Sequence, residues 1–253
     1  MFIPKHSAQA PKGMKAMIFA AGLGTRLKPF TDTHPKALAM VNGKPLLQRN
    51  IEYLAAFGIE DLVINVHHFA DQIVDFLYRN ENFGQRVTIS REVDQPLETG
   101  GGLKHASWFF KDAEGPFLVM NADILTNLDL GRLLADHLQH RPLATLAVTD
   151  RPASRAFLFN AQDELCGWRN AKTGEERISR PDQSPLTPGS FTCVHLIEPE
   201  MTRIMPGEGK FSIIDTYLEL AKARTIRGHR HNGDLVVDVG RPESILEAEK
   251  YFA

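Results

Sequence analysis

The run Gly22-Leu23-Gly24-Thr25-Arg26-Leu27, continued through Lys28-Pro29-Phe30-Thr31 to Pro35-Lys36, collects the residue types needed to hold a polyphosphate. It follows Met14-Lys15-Ala16-Met17-Ile18-Phe19-Ala20-Ala21, an apolar stretch short enough to be a buried first strand. A glycine-rich turn after such a strand lets backbone N–H groups close around a phosphate or nucleobase with no side chain in the way. Arg26 and Lys36 add two fixed cations beside that cradle, which suits a triphosphate gripped while its charge is redistributed. Other phosphate motifs fit worse. Leu27 stands where the dinucleotide fingerprint needs a third small residue. A P-loop requires Gly-Lys-Ser or Gly-Lys-Thr, whereas the Gly-Lys pairs here are Gly43-Lys44-Pro45 and Gly209-Lys210-Phe211.

Two aspartates fall where predicted strands end. Asp123 follows the strand pattern at 116–120, within Asn121-Ala122-Asp123, and Asp238 sits in Val236-Val237-Asp238-Val239-Gly240. A carboxylate among valines is costly to bury unless it meets a cation. Mg²⁺ commonly takes one or two carboxylates plus phosphate oxygens and water, so two aspartates converging at a strand-end crevice would suffice. Pro96-Leu97-Glu98-Thr99-Gly100-Gly101-Gly102 is the other strong signal. Three glycines opening a helix leave amides exposed and permit close approach by a flat ring. Lys210, before a helix start at Ser212, could approach an anion. His67 and His68 are adjacent on an extended segment and point opposite ways, so they are read as a satisfied polar pair. Cys193 reads as a small core residue, and Phe157 and Trp168 as hairpin packing.

The 22–36 segment resembles the signature of sugar-phosphate nucleotidyltransferases, G-x-G-T-R-x-x-P-x-T…P-K, and the resemblance runs from about residue 14 to the C-terminus. It implies a nucleoside triphosphate wrapped by Ala20, Ala21, Gly22, Gly24 and Thr25, with Arg26 and Lys36 as the catalytic cations on its phosphates. It also implies a nucleobase and ribose pocket at Glu98, Gly100, Gly101 and Asn121, and Mg²⁺ on Asp123 and Asp238. Asp123 departs slightly, with Ala122 where many relatives carry glycine. Thr192 and Lys210 are the candidates for the sugar phosphate. The reaction implied is condensation of a nucleoside triphosphate with a sugar-1-phosphate, giving a nucleotide sugar and pyrophosphate.

Within that family the short build and the Pro-Leu-Glu-Thr-Gly-Gly-Gly segment look most like the N-acetylmuramate-1-phosphate uridylyltransferases of cell-wall recycling. Their Phe-Ser-Gly-Ile segment appears here as Phe191-Thr192-Cys193-Val194. Mannose-1-phosphate guanylyltransferase, with GTP, is the second reading; heptose-phosphate and choline-phosphate transferases stand further back. A reading of another class is a non-catalytic nucleotide-sugar-binding regulator, which the presence of both cations and both aspartates disfavours.

The elements that must position these residues alternate. Helical spacing at 45–57, 70–79, 102–110 and 129–140 is interleaved with strand patterns at 61–66, 86–90, 116–120 and 144–148. That order predicts an α/β fold, a Rossmann-like, mostly parallel sheet with helices on both faces. After residue 149 a small β-hairpin insertion is expected at 156–168, then a polar surface excursion over 169–189. A strand at 191–197, a helix from Ser212 to about 223, a last strand at 235–239 and a closing helix at 242–252 complete the reading. The expected organisation is one nucleotidyltransferase domain over 14–253, with a nucleotide-binding half (14–149) and a sugar-phosphate-binding half (150–253). Residues 1–13 are expected to be a frayed extension, since Met14-Lys15 looks like a natural start.

Bulk properties narrow the class. The 253 residues carry 29 Lys and Arg against 31 Asp and Glu, so no charge excess recommends nucleic acid or an anionic membrane. Two cysteines make a disulfide framework unfavoured and fit a reducing, cytoplasmic setting. No apolar run approaches the ~20 residues of a membrane span. The partners expected are a nucleoside triphosphate, UTP favoured, and a sugar-1-phosphate, bound by a monomer or small homo-oligomer.

Overall fold

Residues 6–252 are described by the structure, a computed structural model. The first half runs β1 (Lys15–Phe19), a short ribbon of β2 (Met40–Val41) and β3 (Lys44–Pro45), α1 (Leu46–Phe57), β4 (Asp61–Val66), α2 (Ala70–Arg79), β5 (Arg86–Arg91), α3 (Glu98–His105), β6 (Phe117–Asn121), β7 (Ile124–Thr126), α4 (Leu130–His140) and β8 (Ala144–Thr149). The second half adds β9 (Arg155–Phe159), β10 (Leu165–Asn170), β11 (Glu175–Ile178), β12 (Thr187–Ile197), α5 (Pro199–Ile204), α6 (Ile213–Leu220), β13 (Ile226–Arg230), β14 (Val236–Asp238) and α7 (Pro242–Glu249).

β1 shows why the chain layers as it does. Its side chains alternate between faces, and both faces are apolar. Ala16 and Ile18 join a cluster with Leu47, Leu54, Ile73 and Leu133 from α1, α2 and α4. Met17 and Phe19 join the opposite cluster with Leu103, Tyr217 and Leu218 from α3 and α6. A strand buried on both sides must sit inside a sheet covered by helices on each face. β1 accordingly pairs in parallel with β4 and β6, and β4 with β5.

The main sheet has ten strands, in the order β11-β10-β9-β12-β6-β1-β4-β5, with β8 pairing β12 and β13. β12 enters antiparallel beside β6 and also pairs β8 and β9, so the second half of the chain is built into the centre of the sheet. Its register with β8 shifts between Phe191 and His195, and Cys193 in that irregularity adopts φ 58. β14 lies outside the main sheet and pairs antiparallel with β7. A third cluster, including Leu27, Val41, Leu125, Val237 and Phe252, seats this ribbon against the loop after β1.

Several ends are set locally. Gly58, at φ 95, stops α1 and donates its N–H to Ala55 O and Leu54 O. Asp129 caps α4 by accepting from the Gly131 and Arg132 amides, and Ser212 caps α6 by accepting from Ile214 N. α3 starts at Glu98, so the glycines lie inside the helix rather than before it, and the pattern to residue 110 ends as a 3-10 turn, Ser107–Phe110. The 169–189 stretch supplies the exposed edge strand β11 and the start of β12 instead of a plain excursion.

The frayed extension expected at 1–13 is corrected for residues 6–13; residues 1–5 lie outside the described residues. Ala10 N donates to Phe57 O at 2.7 Å, and Ser7 N to Asp129 Oδ1 at 2.9 Å. The His6 ring lies edge-on to Tyr53 and Phe57, both at 5.2 Å, and its Nδ1 accepts from Leu130 N at 3.2 Å. No helix among the described residues is long and apolar enough to cross a membrane.

Candidate active site

The carboxyl ends of β1, β4 and β6 open into a pocket of about 380 Å³. The loop 19–25 forms one wall, and Lys36, Asn65, Asn121 and Asp123 contribute to the floor and rim. Gly24 stands at φ 64, and a Cβ there would lie 2.8 Å from Thr31 Cγ2 and 3.0 Å from Lys36 Cβ. Thr31 Oγ1 donates to Gly24 O at 2.9 Å, which ties the far end of the signature back onto the turn. The spacing of Gly24, Thr31 and Lys36 is therefore a packing requirement: glycine yields space so that the lysine can stand against the turn.

Lys36 points between the two aspartates. Its Nζ is ion-paired to Asp123 Oδ2 and lies 3.9 Å from Asp238 Oδ1, with only 12% of the side chain exposed. Arg26 reaches to 3.9 Å of Asp238 Oδ2. The β14–β7 ladder creates this meeting, since Asp238 pairs with Ile124 and Val239 N donates to Asp123 O at 2.9 Å. Burial, then the charge of Asp123, push the Asp238 carboxyl above its ordinary value, against the pull of Lys36, Arg26 and Arg241.

Asp123 and Asp238 are the two carboxylates here that could hold a cation, in the space where the Lys36 ammonium now lies. Among the described residues no group of three or more His, Cys, Asp or Glu could hold a metal by itself. A pair of aspartates open to phosphate oxygens and water suits Mg²⁺, which keeps several such ligands, so the donor set fits that ion.

Beneath the pocket lies a polar bridge that the sequence reading missed. Ala20 N donates to Asn65 Oδ1 at 2.8 Å, Asn65 Nδ2 to Glu92 Oε1 at 2.7 Å, and Leu97 N to Glu92 Oε2 at 2.7 Å. Asn65 and Glu92 are both buried. The available signal was an asparagine inside the apolar strand Leu62-Val63-Ile64-Asn65-Val66, a polar group that must be paired if buried.

The triple glycine does something other than expected. Gly100 N and Gly101 N donate to Phe211 O at 2.9 and 3.1 Å, so their amides are spent within the protein. A Cβ on Gly101 would lie 2.1 Å from Gly209 O, and one on Gly102 2.8 Å from both Asn65 Nδ2 and Glu92 Oε1. These glycines admit the 207–211 backbone and the buried bridge, and neither Gly100 nor Gly101 lines the pocket. Pro96, Glu98 and Thr99 line it instead, with Glu98 at φ 61. Lys210 also lines it, its Nζ 3.7 Å from Glu98 Oε1.

Thr192 is likewise corrected. It is buried, its hydroxyl donates to Ala147 O at 3.0 Å and contacts His231 Nε2 at 3.0 Å, and it does not reach the pocket. Burial, with the charges of Asp123 and Asp238, pushes the neighbouring Cys193 thiol up to about 12. His67 and His68 contact the Glu92 and Thr31 carbonyls, while Phe157 and Trp168 are core.

Residues 15–159 match the family model described as nucleotidyl transferase. Over 255 residues the chain is 35% identical to N-acetylmuramate alpha-1-phosphate uridylyltransferase of Caulobacter vibrioides, covering 97% of this chain and 99% of that one. Over 239 residues it is 34% identical to mannose-1-phosphate guanyltransferase of Yarrowia lipolytica, covering 92% of this chain and 62% of the relative. HddC from Yersinia pseudotuberculosis, solved complexed with GMP-PN, shares the fold at a TM-score of 0.75 and 22% identity, over 95% of this chain and all of its own. With the signature loop and the paired aspartates already converging in space, these matches establish that the chain belongs to the nucleotidyl transferase family.

Proposed function

We propose that this protein is a Mg²⁺-dependent sugar-1-phosphate nucleotidyltransferase, joining UTP to N-acetylmuramate-1-phosphate in cytoplasmic cell-wall recycling. The observation that carries the reaction class is Lys36 held between Asp123 and Asp238 at the rim of the glycine-walled pocket. The nearly full-length likeness to a uridylyltransferase supports the choice of substrates.

In this reading an oxygen of the sugar-1-phosphate attacks the α-phosphorus of the nucleoside triphosphate. The bond from that phosphorus to the oxygen leading to the β-phosphate breaks, and pyrophosphate leaves on the opposite side. No general base is required, because a phosphate monoester with a second pKa of ~6 is already largely dianionic near neutrality. The protein's task is to align two mutually repelling anions and to neutralise charge on the leaving group. Ala20, Ala21, Gly22, Gly24 and Thr25 wrap the triphosphate, Glu98 and Asn121 border the nucleoside, and Arg26 faces the departing pyrophosphate. Lys36 turns its ammonium from Asp123 toward the phosphate oxygens. Asp123 and Asp238 would hold Mg²⁺, which when bound supplies positive charge to the phosphates. Lys210, within reach of Glu98, is placed by this reading on the sugar phosphate.

The test is a matrix of UTP, GTP, CTP and dTTP against N-acetylmuramate-, N-acetylglucosamine-, glucose- and mannose-1-phosphates with Mg²⁺, read by pyrophosphate release and product mass. UDP-N-acetylmuramate as the preferred product supports the proposal. GDP-mannose favours the second reading, which the likeness to guanyltransferases motivates. Nucleotide binding with no turnover in any pair sinks the enzymatic reading in favour of a nucleotide-sugar-binding regulator.

A further inference from the structure

On the far side of Asp238 lies a second pocket, of about 410 Å³, lined by Arg26, Arg151 and Arg241 together with Ser244 and Glu247 of α7. Arg151 stands just past the end of β8, and Arg241 immediately before α7. Arg151 commits one nitrogen, Nη1, to Val236 O at 3.0 Å. Among the described residues neither Arg151 nor Arg241 has an ion-pair partner within 4.0 Å. Three guanidiniums around one cleft outnumber its two carboxylates, Asp238 and Glu247. Planar forks of this kind match carboxylate and phosphate oxygens bidentately.

We propose that Arg151 and Arg241 form an oxyanion subsite contiguous with the reaction centre, taking a phosphate or carboxylate group of the reacting molecules. The inference rests on the nucleotidyl-transfer reading above and goes beyond it in assigning these two arginines. Arg26 and Asp238 line this second pocket, and Asp238 Oδ1 lies 3.9 Å from the Lys36 Nζ that is paired to Asp123, so an occupant here would belong to a molecule whose reacting phosphate lies at Asp123 and Asp238. Two sources fit that chemistry. One is the pyrophosphate leaving past Arg26; the other is a carboxylate borne by the acceptor, such as the lactyl group of N-acetylmuramate.

Arg151→Gln, Arg241→Gln and the double variant separate them. Both positions are exposed, so folding is expected to survive, and a thermal melt checks it. Pyrophosphate as occupant predicts a rise of about tenfold or more in its inhibition constant, with both acceptor KM values within about threefold of wild type. An acceptor carboxylate predicts a comparable rise in KM for N-acetylmuramate-1-phosphate alone, leaving N-acetylglucosamine-1-phosphate, which lacks that group, unchanged. Unaltered constants throughout overturn the proposal, as does a uniform loss accompanied by a lower melting temperature. Should the wild-type protein turn nothing over, calorimetric titration with Mg²⁺-pyrophosphate and with N-acetylmuramate-1-phosphate still decides. Binding of either that weakens in the double variant supports the subsite although the enzymatic reading has failed. Equal binding by wild type and variant overturns it.

Discussion

Asn65 and Glu92 meet side chain to side chain at 2.7 Å, each only 2% exposed, and together they join the end of β1 to the loop that opens α3. Asn65 holds the Ala20 amide and Glu92 the Leu97 amide, so two walls of the pocket share one buried linkage. Glu92→Ala strands the buried Asn65 amide, at about 1–3 kcal/mol, and the part-buried Leu97 N–H, at less. The expected result is lower resistance to urea and a raised KM for the triphosphate, with the acceptor KM little changed. Glu92→Gln, which keeps one acceptor oxygen, should recover part of both losses. An unchanged triphosphate KM in Glu92→Ala would reduce the bridge to a stability element.

Removing Lys36 should be felt in kcat. Lys36→Met leaves Asp123 and Asp238 facing one another without the ammonium that lies against both. Loss of a charge aimed at the transition state typically costs about 10²–10³ in kcat. Asp123→Asn and Arg26→Ala are expected to fall in the same range, measured by pyrophosphate release under saturating substrates. A variant that keeps a near-normal rate takes its residue out of the catalytic set.

Gly101→Ala tests the meaning of the triple glycine. The added methyl would sit 2.1 Å from Gly209 O, a contact that only backbone movement can relieve. Overpacking of this kind costs about 1–3 kcal/mol, and it would displace the segment that carries Lys210. The melting temperature should drop and turnover should weaken. A variant as stable as the parent would show that the 207–211 segment yields freely.

Stability should fall on mild acidification. His195 is fully buried in β12 beside the Tyr217 hydroxyl, and burial lowers it from the ordinary 6.5 to about 3. Below pH 6.5 the unfolded chain binds a proton that the folded chain refuses, so this contribution is complete above 6.5 and is lost as pH falls toward 3. The limiting slope is about 1.4 kcal/mol per pH unit for one such group. His231, lowered to about 4 chiefly by burial, acts with the same sign. Urea denaturation between pH 6.5 and 5 checks the slope, which His195→Gln should make shallower. A flat profile in the parent would refute neutral burial of both rings.

The alternation of strands and helices was readable because burial on two faces leaves continuous apolar strands, as in Ala16-Met17-Ile18-Phe19. The glycine turn with Arg26 and Lys36 was readable because phosphate chemistry restricts which residues can stand there. Three things were hidden. Asp123 and Asp238 were expected to converge, but the two-stranded pairing that brings them together joins segments distant in sequence, which local patterning does not encode. Glycines at 100–102 announce close approach, yet only the fold reveals that Phe211 O and Gly209 do the approaching. Thr192 was misplaced because Cys193, at φ 58, breaks the alternation of β12, so facing could not be counted along the strand.

The segment from His6 to Ala10 gives the choice of first codon in an expression vector a structural meaning. A chain begun at Met14 would lose the imidazole that accepts from Leu130 N and the Ser7 amide that steadies Asp129, the residue on which the first turn of α4 depends. It would also uncover the Phe57 carbonyl and the ring pair of Tyr53 and Phe57. Thirteen residues that look dispensable on paper thus include a clasp between two helices, and trimming them for crystallisation would loosen the very scaffold that the trimming was meant to tidy.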